Sequence, residues 1–214
     1  MAQCARLWPQ QEPPFIREQI MRYESEHKPK IRERIVREAA KAIRAKGPQQ
    51  VSVAGVMSKA GLTHGGFYAH FASKEALIEA AIGQMFNQVM ARWEKENKGL
   101  TPPEQLAGYI DFYLSVWHRD NRAQGCPVSA LASETPRMSV PCQAAFAQGI
   151  ANIRGMITGQ LREMQIPEPE SVAVSVTAEL MGILSLARCE PDRAASDALL
   201  ESARVRIKTR LGLA

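Results

Sequence analysis

Apolar residues recur along most of this 214-residue chain at the three-and-four spacing of amphipathic helices. The first clear helix is predicted from Lys30 to Lys46, where apolar side chains share one face and Gly47-Pro48 ends the pattern. No stretch shows the short apolar–polar alternation of a half-buried strand. The pattern therefore predicts an all-α protein.

Two short helices and a tight turn follow this first helix. Ser52 is expected to cap the first short helix, and Thr63 to cap the second, whose sequence is HGGFYAHF. Gly61 lies between them, where a left-handed backbone costs little. Ser73 then caps a long helix. A short helix, a glycine turn and a second short helix form the skeleton of a helix-turn-helix, whose parts must pack on the long helices beside them.

The rest of the chain continues the helical pattern. Helices are expected at about 103–119, after Cys126-Pro127, at 141–164, at 170–189 and at 193–211. Prolines among polar residues at 1–29 predict a poorly ordered N-terminal arm, within which Met21 is an alternative translation start.

Basic charge is concentrated in the predicted helix-turn-helix segment. The formal net charge is +5, but residues 30–74 hold nine basic side chains against two acidic ones. The remainder of the chain is slightly acidic. A basic module on a nearly neutral body suits the binding of phosphates.

The four cysteines form neither a metal-binding nor a disulfide pattern. They are scattered, and no histidine is spaced with them as a zinc ligand, so no metal and no cofactor are expected. The first residues lack the apolar core of a signal peptide, and no window approaches a membrane span. We therefore expect a cytoplasmic protein with reduced thiols.

Polar side chains lie along the short helices where they could meet a phosphate. The set contains hydroxyl, imidazole and ammonium groups: Ser52, Thr63, His64, Tyr68, His70 and Lys74. Thr63 and His64 begin the second short helix, where free N–H groups favour a phosphate or a base edge. Most of these side chains are suited to phosphate contacts, which position a protein on DNA without reading its sequence.

The run SVAGVMSKAGLTHGGFYAHFASKEAL resembles the N-terminal domain of tetracycline-repressor (TetR) family transcriptional regulators. The matching parts are Ala60-Gly61-Leu62-Thr63, Tyr68-Ala69-His70-Phe71 and Ser73-Lys74-Glu75-Ala76-Leu77. The resemblance covers about 50 residues and implies a three-helix DNA-binding domain at 30–77. It also implies a C-terminal helical domain at 78–214 that binds an effector and dimerises.

The resemblance implies a DNA-facing set that includes two glycines. With the residues of the first short helix, the predicted set is Ser52, Val53, Thr63, His64, Gly65, Gly66, Tyr68, His70 and Lys74. Val53 departs from the family pattern, which often has a polar residue there. His64 is therefore the main candidate for reading a base, with backbone approach and DNA shape supplying the rest. The alternative is that the two glycines only allow close packing.

A twofold dimer on a double-stranded DNA operator is the expected functional unit, because one helix-turn-helix makes too few contacts. The last two helices would form the homodimer surface or, alternatively, part of the core, through Val172, Val176, Leu180, Ile183, Leu184, Leu199, Leu200, Val205 and Ile207. The family resemblance implies a repressor that binds a palindromic operator and is released by a small molecule.

The middle helices would form the effector pocket, with a lining drawn from apolar, aromatic and thiol side chains. The predicted set is Phe86, Phe112, Tyr113, Trp117, Cys126, Met138 and Phe146. Residues of these types are also common in cores. No charge stands out among them, which favours an uncharged, apolar small-molecule effector.

Three other hypotheses follow from the same residues. A thiol enzyme would use Cys126 with His118, but nothing orients this pair and the basic segment stays unexplained. A redox or electrophile switch would use Cys126 and Cys142, because a helix start can lower a thiol pKa. A third possibility is a dimeric binding protein that keeps this fold without operator recognition. We expect a regulator and not an enzyme.

Overall fold

The computed structural model describes the backbone of residues 14–213 and the side chains from His27 onward. Helices form all of the regular secondary structure in these residues. The α-helices are α1 Pro14–Lys46, α2 Val53–Lys59, α3 Lys74–Glu96, α4 Pro102–Tyr113, α5 Val116–Asp120, α6 Pro127–Leu131, α7 Val140–Glu163, α8 Pro169–Cys189 and α9 Arg193–Arg210. Shorter 3₁₀ helices span His64–Ala69, Arg122–Gln124 and Thr135–Arg137. The predicted all-α fold is confirmed.

The first helix is longer than the sequence pattern predicted. It begins at Pro14 and not near Lys30, and Pro29 lies inside it. Proline removes only one backbone donor from a helix, so a helix that is well held elsewhere can continue through it. Residues 1–13 of the predicted N-terminal arm, with Cys4, lie outside the described residues.

The helix predicted at 103–119 is divided in two. Helix α4 ends at Tyr113, and α5 begins at Val116. Between them, the Ser115 hydroxyl donates to the Phe112 carbonyl at 2.7 Å and accepts from the His118 backbone N–H at 3.1 Å. A serine side chain that bonds nearby backbone groups competes with helix continuation, which is why the break falls here.

One hydrophobic core runs from the first helix to the last, through α1, α3, α7, α8 and α9. Helix α3 packs on both α1 and α7. Phe86 of α3 lies directly against the backbone of Gly149 on α7, where an added Cβ would stand 2.2 Å from the ring. The close approach of α3 and α7 therefore depends on this glycine. Phe146 meets Phe86 edge to face at 5.5 Å between ring centroids.

Helix α8 is long and apolar enough to span a membrane by length and composition. The expectation that no window approaches a membrane span is therefore wrong. The buried face of this helix packs into the core through Ala173, Val176, Thr177, Leu180, Leu184 and Ala187. A core helix of a globular protein meets the same hydropathy test. Only 33% of its most apolar window is buried within this chain.

Buried polar contacts hold α5 against the last two helices. Arg119 Nη1 donates to the Ser196 hydroxyl at 2.6 Å and to Asp197 at 2.5 Å. Arg188 of α8 donates to the backbone carbonyls of His118 and Arg119 at 3.0 and 3.2 Å. Charge-assisted hydrogen bonds of this kind are strong and directional, so α5 is fixed to the C-terminal helices.

Candidate functional site

The first short helix and the turn after it have the predicted local structure. The Ser52 hydroxyl accepts a hydrogen bond from the Gly55 N–H at 3.1 Å and so caps α2. Gly61 has φ +67°, a left-handed conformation that favours glycine. The Ser73 hydroxyl likewise caps α3 by accepting from the Ala76 N–H at 3.1 Å. These three predictions are confirmed.

The second short helix differs from its prediction in two respects. It is a six-residue 3₁₀ helix, His64–Ala69, and Thr63 occupies the N-cap position without a side-chain capping bond. The expected Thr63 cap is therefore wrong, and its hydroxyl is exposed. The element is held from below by buried Phe67, whose ring stacks on Phe71 at 5.7 Å. Packing, and not helix length, fixes its position.

The predicted DNA-facing residues divide into an exposed and a half-buried group. The exposed residues are Ser52, Thr63, His64, Gly65 and Tyr68, and the half-buried ones are Val53, Gly66, His70 and Lys74. Tyr68 is the extreme case, because 71% of this large aromatic residue is exposed although its ring edge touches Phe67. The exposed side chains are free to contact another molecule.

The two adjacent glycines have no role in packing within the described chain. A Cβ on Gly65 would meet nothing within 4 Å, and one on Gly66 would make ordinary contacts with Met57 and Thr63 at 3.7 and 3.9 Å. Neither glycine has a positive φ. The alternative that they only allow close packing is therefore wrong for this chain. They leave open space in front of an exposed backbone.

His70 lies closer to α1 than the prediction assumed. Its ring is half-buried, and its Nδ1 has no hydrogen-bond partner among the described residues. Burial, with the nearby charges of Lys28 and Arg32, lowers the His70 pKa. Arg32 also covers the Phe71 ring at 4.7 Å. Burial and the two neighbouring cations therefore disfavour the charged form of this imidazole.

A cavity of about 520 Å³ lies between α1, α3, α4 and residues 118–126. One of its walls is aromatic and is formed by Trp93, Tyr109, Phe112 and Tyr113. Trp93 meets Tyr109 edge to face at 5.6 Å, and Tyr109 lies 5.8 Å from Tyr113. The volume falls within the range of small-molecule sites in proteins.

The lining of this cavity is positively charged. Four basic side chains, Arg37, Lys41, Arg44 and Arg92, face one acidic side chain, Glu96. The expectation of a pocket without charge is therefore wrong. Three of the cations come from α1 at i, i+4 and i+7, which places them on one helix face. That spacing was visible in the sequence, but the charges were all attributed to DNA binding.

Only three of the seven predicted effector contacts line the cavity, namely Phe112, Tyr113 and Cys126. The other four are elsewhere: Phe86 and Phe146 pack on each other in the core, Met138 is half-buried against the core, and Trp117 is exposed. These four assignments are wrong for this cavity. Helical spacing of aromatic residues did not distinguish core from cavity.

Arg44 is the buried cation of the cavity, with only 4% of its surface exposed. Its Nη1 donates to the Ala123 carbonyl at 3.0 Å, and its Nη2 donates to Gln88 Oε1 at 2.5 Å. Its Nε has no partner, and no carboxylate of the described residues lies within 4 Å of the guanidinium. Burial lowers the pKa of Arg44 to about 10. The charge is therefore balanced only by neutral acceptors.

The Cys126–His118 pair has no features of a catalytic dyad. His118 Nδ1 lies 2.7 Å from the Tyr113 carbonyl, and its Nε2 accepts from the Cys126 backbone N–H at 2.8 Å. Both ring nitrogens are thus used in the neutral form. Burial lowers the His118 pKa to about 4 and raises the pKa of the Cys126 thiol. The expected lowering of the thiol pKa is therefore wrong. Burial also raises the pKa of the Cys142 thiol.

Family models match both parts of the chain. Residues 35–81 match the model described as bacterial regulatory proteins, tetR family. Residues 102–201 match the C-terminal domain of LmrA/YxaF-like transcriptional regulators. Among curated proteins, none matches this sequence significantly.

Solved structures share the fold at low sequence identity. A TetR transcriptional regulator from Chloroflexus aurantiacus has a TM-score of 0.75 at 24% identity, covering 87% of this chain and 96% of its own. The reduced form of NemR from E. coli has a TM-score of 0.72 at 19% identity, covering 84% and 97%. The regulatory protein TetR from Rhodobacter sphaeroides has a TM-score of 0.68 at 18% identity, covering 84% of this chain and 96% of its own. These structures share the fold, and the two family models show that the chain belongs to the tetR family of bacterial regulatory proteins, which are DNA-binding transcription regulators and not enzymes.

Proposed function

We propose that this protein is a transcriptional repressor that binds a palindromic operator as a homodimer and releases it when a small molecule enters the cavity. The observation that carries the proposal is the open, exposed backbone at Gly65, next to Gly66 and the exposed Tyr68. Glycines that neither packing nor φ requires cost helix stability, so their use lies outside the folded chain. The proposed cellular location is the cytoplasm.

We call the residues His64, Gly65, Gly66, Tyr68 and Lys74 the reading surface. Each part of it has a distinct proposed role. Tyr68 and Lys74 contact phosphates, which sets the register on DNA. His64 reads a base edge, and the backbone at the two glycines approaches the duplex closely. Because few side chains remain for base contacts, DNA shape and the spacing of the two half-sites supply the remaining specificity.

Helices α8 and α9 are the proposed dimer surface. Of the nine apolar residues expected there, five are buried within the chain: Val176, Leu180, Leu184, Leu200 and Ile207. Exposed apolar residues on these helices include Val174, Leu186, Leu199 and Val205. A second copy would bury these side chains, and the low burial of the apolar α8 supports this arrangement.

The dimer surface is tested with a charge placed on it. Leu186, which is 58% exposed, is changed to Glu, and Val140, which is 77% exposed at the start of α7, provides the control. Light scattering after size exclusion should give monomers for Leu186→Glu and dimers for Val140→Glu. Dimers from both variants would exclude this face as the interface.

DNA binding is tested by footprinting on the DNA that flanks the protein's own gene, with and without candidate compounds. We expect a protected, twofold-symmetric site that is lost when an effector is added. Binding to random duplex should weaken steeply with salt. If selection on genomic fragments yields no operator while the cavity still binds ligands, the protein is a ligand-binding relative without operator recognition.

A further inference from the structure

The cavity contains a cation, Arg44, for which the described residues supply no counter-ion. Arg44 is almost fully buried, its Nε is unbonded, and its other two nitrogens reach only a carbonyl and an amide oxygen. Burying a cation without an anionic partner is costly, so native proteins pair such groups or use them for binding. The missing partner of Arg44 is an anion.

The surroundings of Arg44 define the rest of the ligand. Trp93, Tyr109, Phe112 and Tyr113 give the cavity an apolar, aromatic wall that suits a flat aromatic molecule. Arg92 lies over the Phe112 ring at 4.4 Å and keeps a second cation close by. A volume of about 520 Å³ admits a molecule of one to three rings.

We propose that the cavity binds a small planar aromatic carboxylate whose charged group pairs with Arg44. The inference rests on the proposed function, since it names the effector class of that same cavity. A carboxylate binds a guanidinium best through two parallel N–H···O bonds, which here would use Nε and Nη2. The Nε is unbonded but buried, and Nη2 is shared with Gln88, so an entering carboxylate must displace the groups that cover the guanidinium.

The pairing would also transmit the signal. Arg44 lies near the end of α1, while its present partners belong to α3 and to the 3₁₀ helix Arg122–Gln124. An anion that takes the guanidinium competes with these contacts and so changes how α1 is held against the body. A ligand that prefers the altered arrangement shifts the protein toward it.

The first test compares two ligands of the same shape and different charge. Titration calorimetry of the unmodified protein is carried out with 2-naphthoate and with 2-naphthamide, in which the carboxylate is replaced by a neutral amide. We expect naphthoate to bind at least about ten-fold more tightly, the effect of one charge-assisted pair. Equal affinity, or no binding of either compound at millimolar concentration, overturns the proposal.

The second test asks which cation of the cavity lining binds the carboxylate. Arg44→Met should weaken naphthoate about ten-fold or more and leave naphthamide within about two-fold. The control is Lys41→Met, which removes an exposed cation from the same lining and should cost less than about three-fold. If both variants lose affinity equally, diffuse positive charge holds the anion and the assignment to Arg44 is wrong.

A third variant, which should raise the affinity for naphthoate, tests the proposal if Arg44→Met does not fold. Gln88→Leu removes the acceptor that competes for Nη2 and should raise naphthoate affinity by about three-fold. Lower or unchanged affinity overturns the proposed pairing. Since calorimetry uses no DNA, these results are independent of operator binding. A failed footprint would defeat the proposed repressor and leave the ligand assignment standing.

Discussion

The reading surface and the cavity both carry polar chemistry, but their side chains have different duties within the fold. Tyr68 is largely exposed, and nothing in the described chain depends on its hydroxyl. Tyr113 is buried at the cavity, donates to or accepts from Ser129 at 2.7 Å, and offers its backbone carbonyl to His118. Loss of the Tyr68 side chain should therefore leave stability nearly unchanged, whereas loss of the Tyr113 side chain should not.

This difference has a consequence for interpreting variants. A change at Tyr68 should lower DNA affinity at nearly constant stability. A change at the cavity alters stability, ligand affinity and the position of α1 together, because Arg44 and His118 are bonded to the structure that they help to hold. Loss of DNA binding alone does not identify a DNA contact, so each variant needs a stability measurement.

The largest expected difference is in the free energy of unfolding when a tyrosine is changed to alanine in each of the two regions. Tyr113→Ala should lower the free energy of unfolding by roughly 3–5 kcal/mol, as for other large buried side chains. Tyr68→Ala should change it by less than about 0.5 kcal/mol and weaken binding to all DNA about ten-fold. Urea unfolding and fluorescence anisotropy on operator and random duplex measure both. Equal destabilisation by the two variants would refute the comparison.

Acid should destabilise the fold through His118, which lies at the cavity. The His118 pKa of about 4 lies below its unfolded value near 6.5, so unfolding takes up a proton in this range. The stabilisation is complete above pH 6.5 and is lost as the pH falls toward 4. Between pH 7 and pH 5 the loss should be about 2 kcal/mol. His118→Gln, followed by urea unfolding at both pH values, should lose most of this dependence. A dependence that persists in the variant would exclude His118 as its source.

Lys74→Ala should reduce the charge that the reading surface presents to phosphates. The expected loss of affinity is about the same for every DNA sequence, and the slope of log K against log salt should fall by about 1 per contact. Salt titrations on operator and random duplex measure the slope. Lys98→Ala, on an exposed residue beyond α3, is the matched control and should leave it unchanged. Loss that is confined to the operator would mean that Lys74 reads bases.

The effect expected at the glycine pair is small and has the opposite sign, a gain in stability. Gly65→Ala should raise the free energy of unfolding by about 0.5–1 kcal/mol, because a Cβ fits there and the unfolded chain loses freedom. The same methyl should weaken DNA binding several-fold by blocking close approach. Gly159→Ala on α7, also in open space, is the control and should stabilise without affecting DNA. Unaltered DNA affinity in Gly65→Ala would leave the glycines unexplained.

The two regions also differ in how well the sequence predicted them. The reading unit was predicted in order because its signals are local: Ser52, Gly61 and Ser73 each act within four residues of their own position. The 3₁₀ geometry at His64–Ala69 escaped prediction, because packing of Phe67 and not backbone propensity decides it.

The cavity was predicted poorly because it is assembled from distant segments. Arg44, Gln88 and Ala123 come from three separate elements, and no local pattern shows that they meet. Phe86 was assigned to the cavity on its residue type, but the absence of a side chain at Gly149 draws it into the core. Such long-range packing is set by tertiary structure, which single-sequence periodicity does not contain.

The shared helix α3 has the geometry of a lever. It is 23 residues long, and the contact of Phe86 with Gly149 lies near its middle. At a rise of about 1.5 Å per residue, the first residue of the helix, Lys74, lies roughly 18 Å from the Phe86–Gly149 contact. A tilt of only about 5° would move that end by roughly 1.5 Å, enough to break a hydrogen bond to a phosphate. If Lys74 contacts a phosphate as proposed, a displacement of this size at the start of α3 would be enough to break that contact.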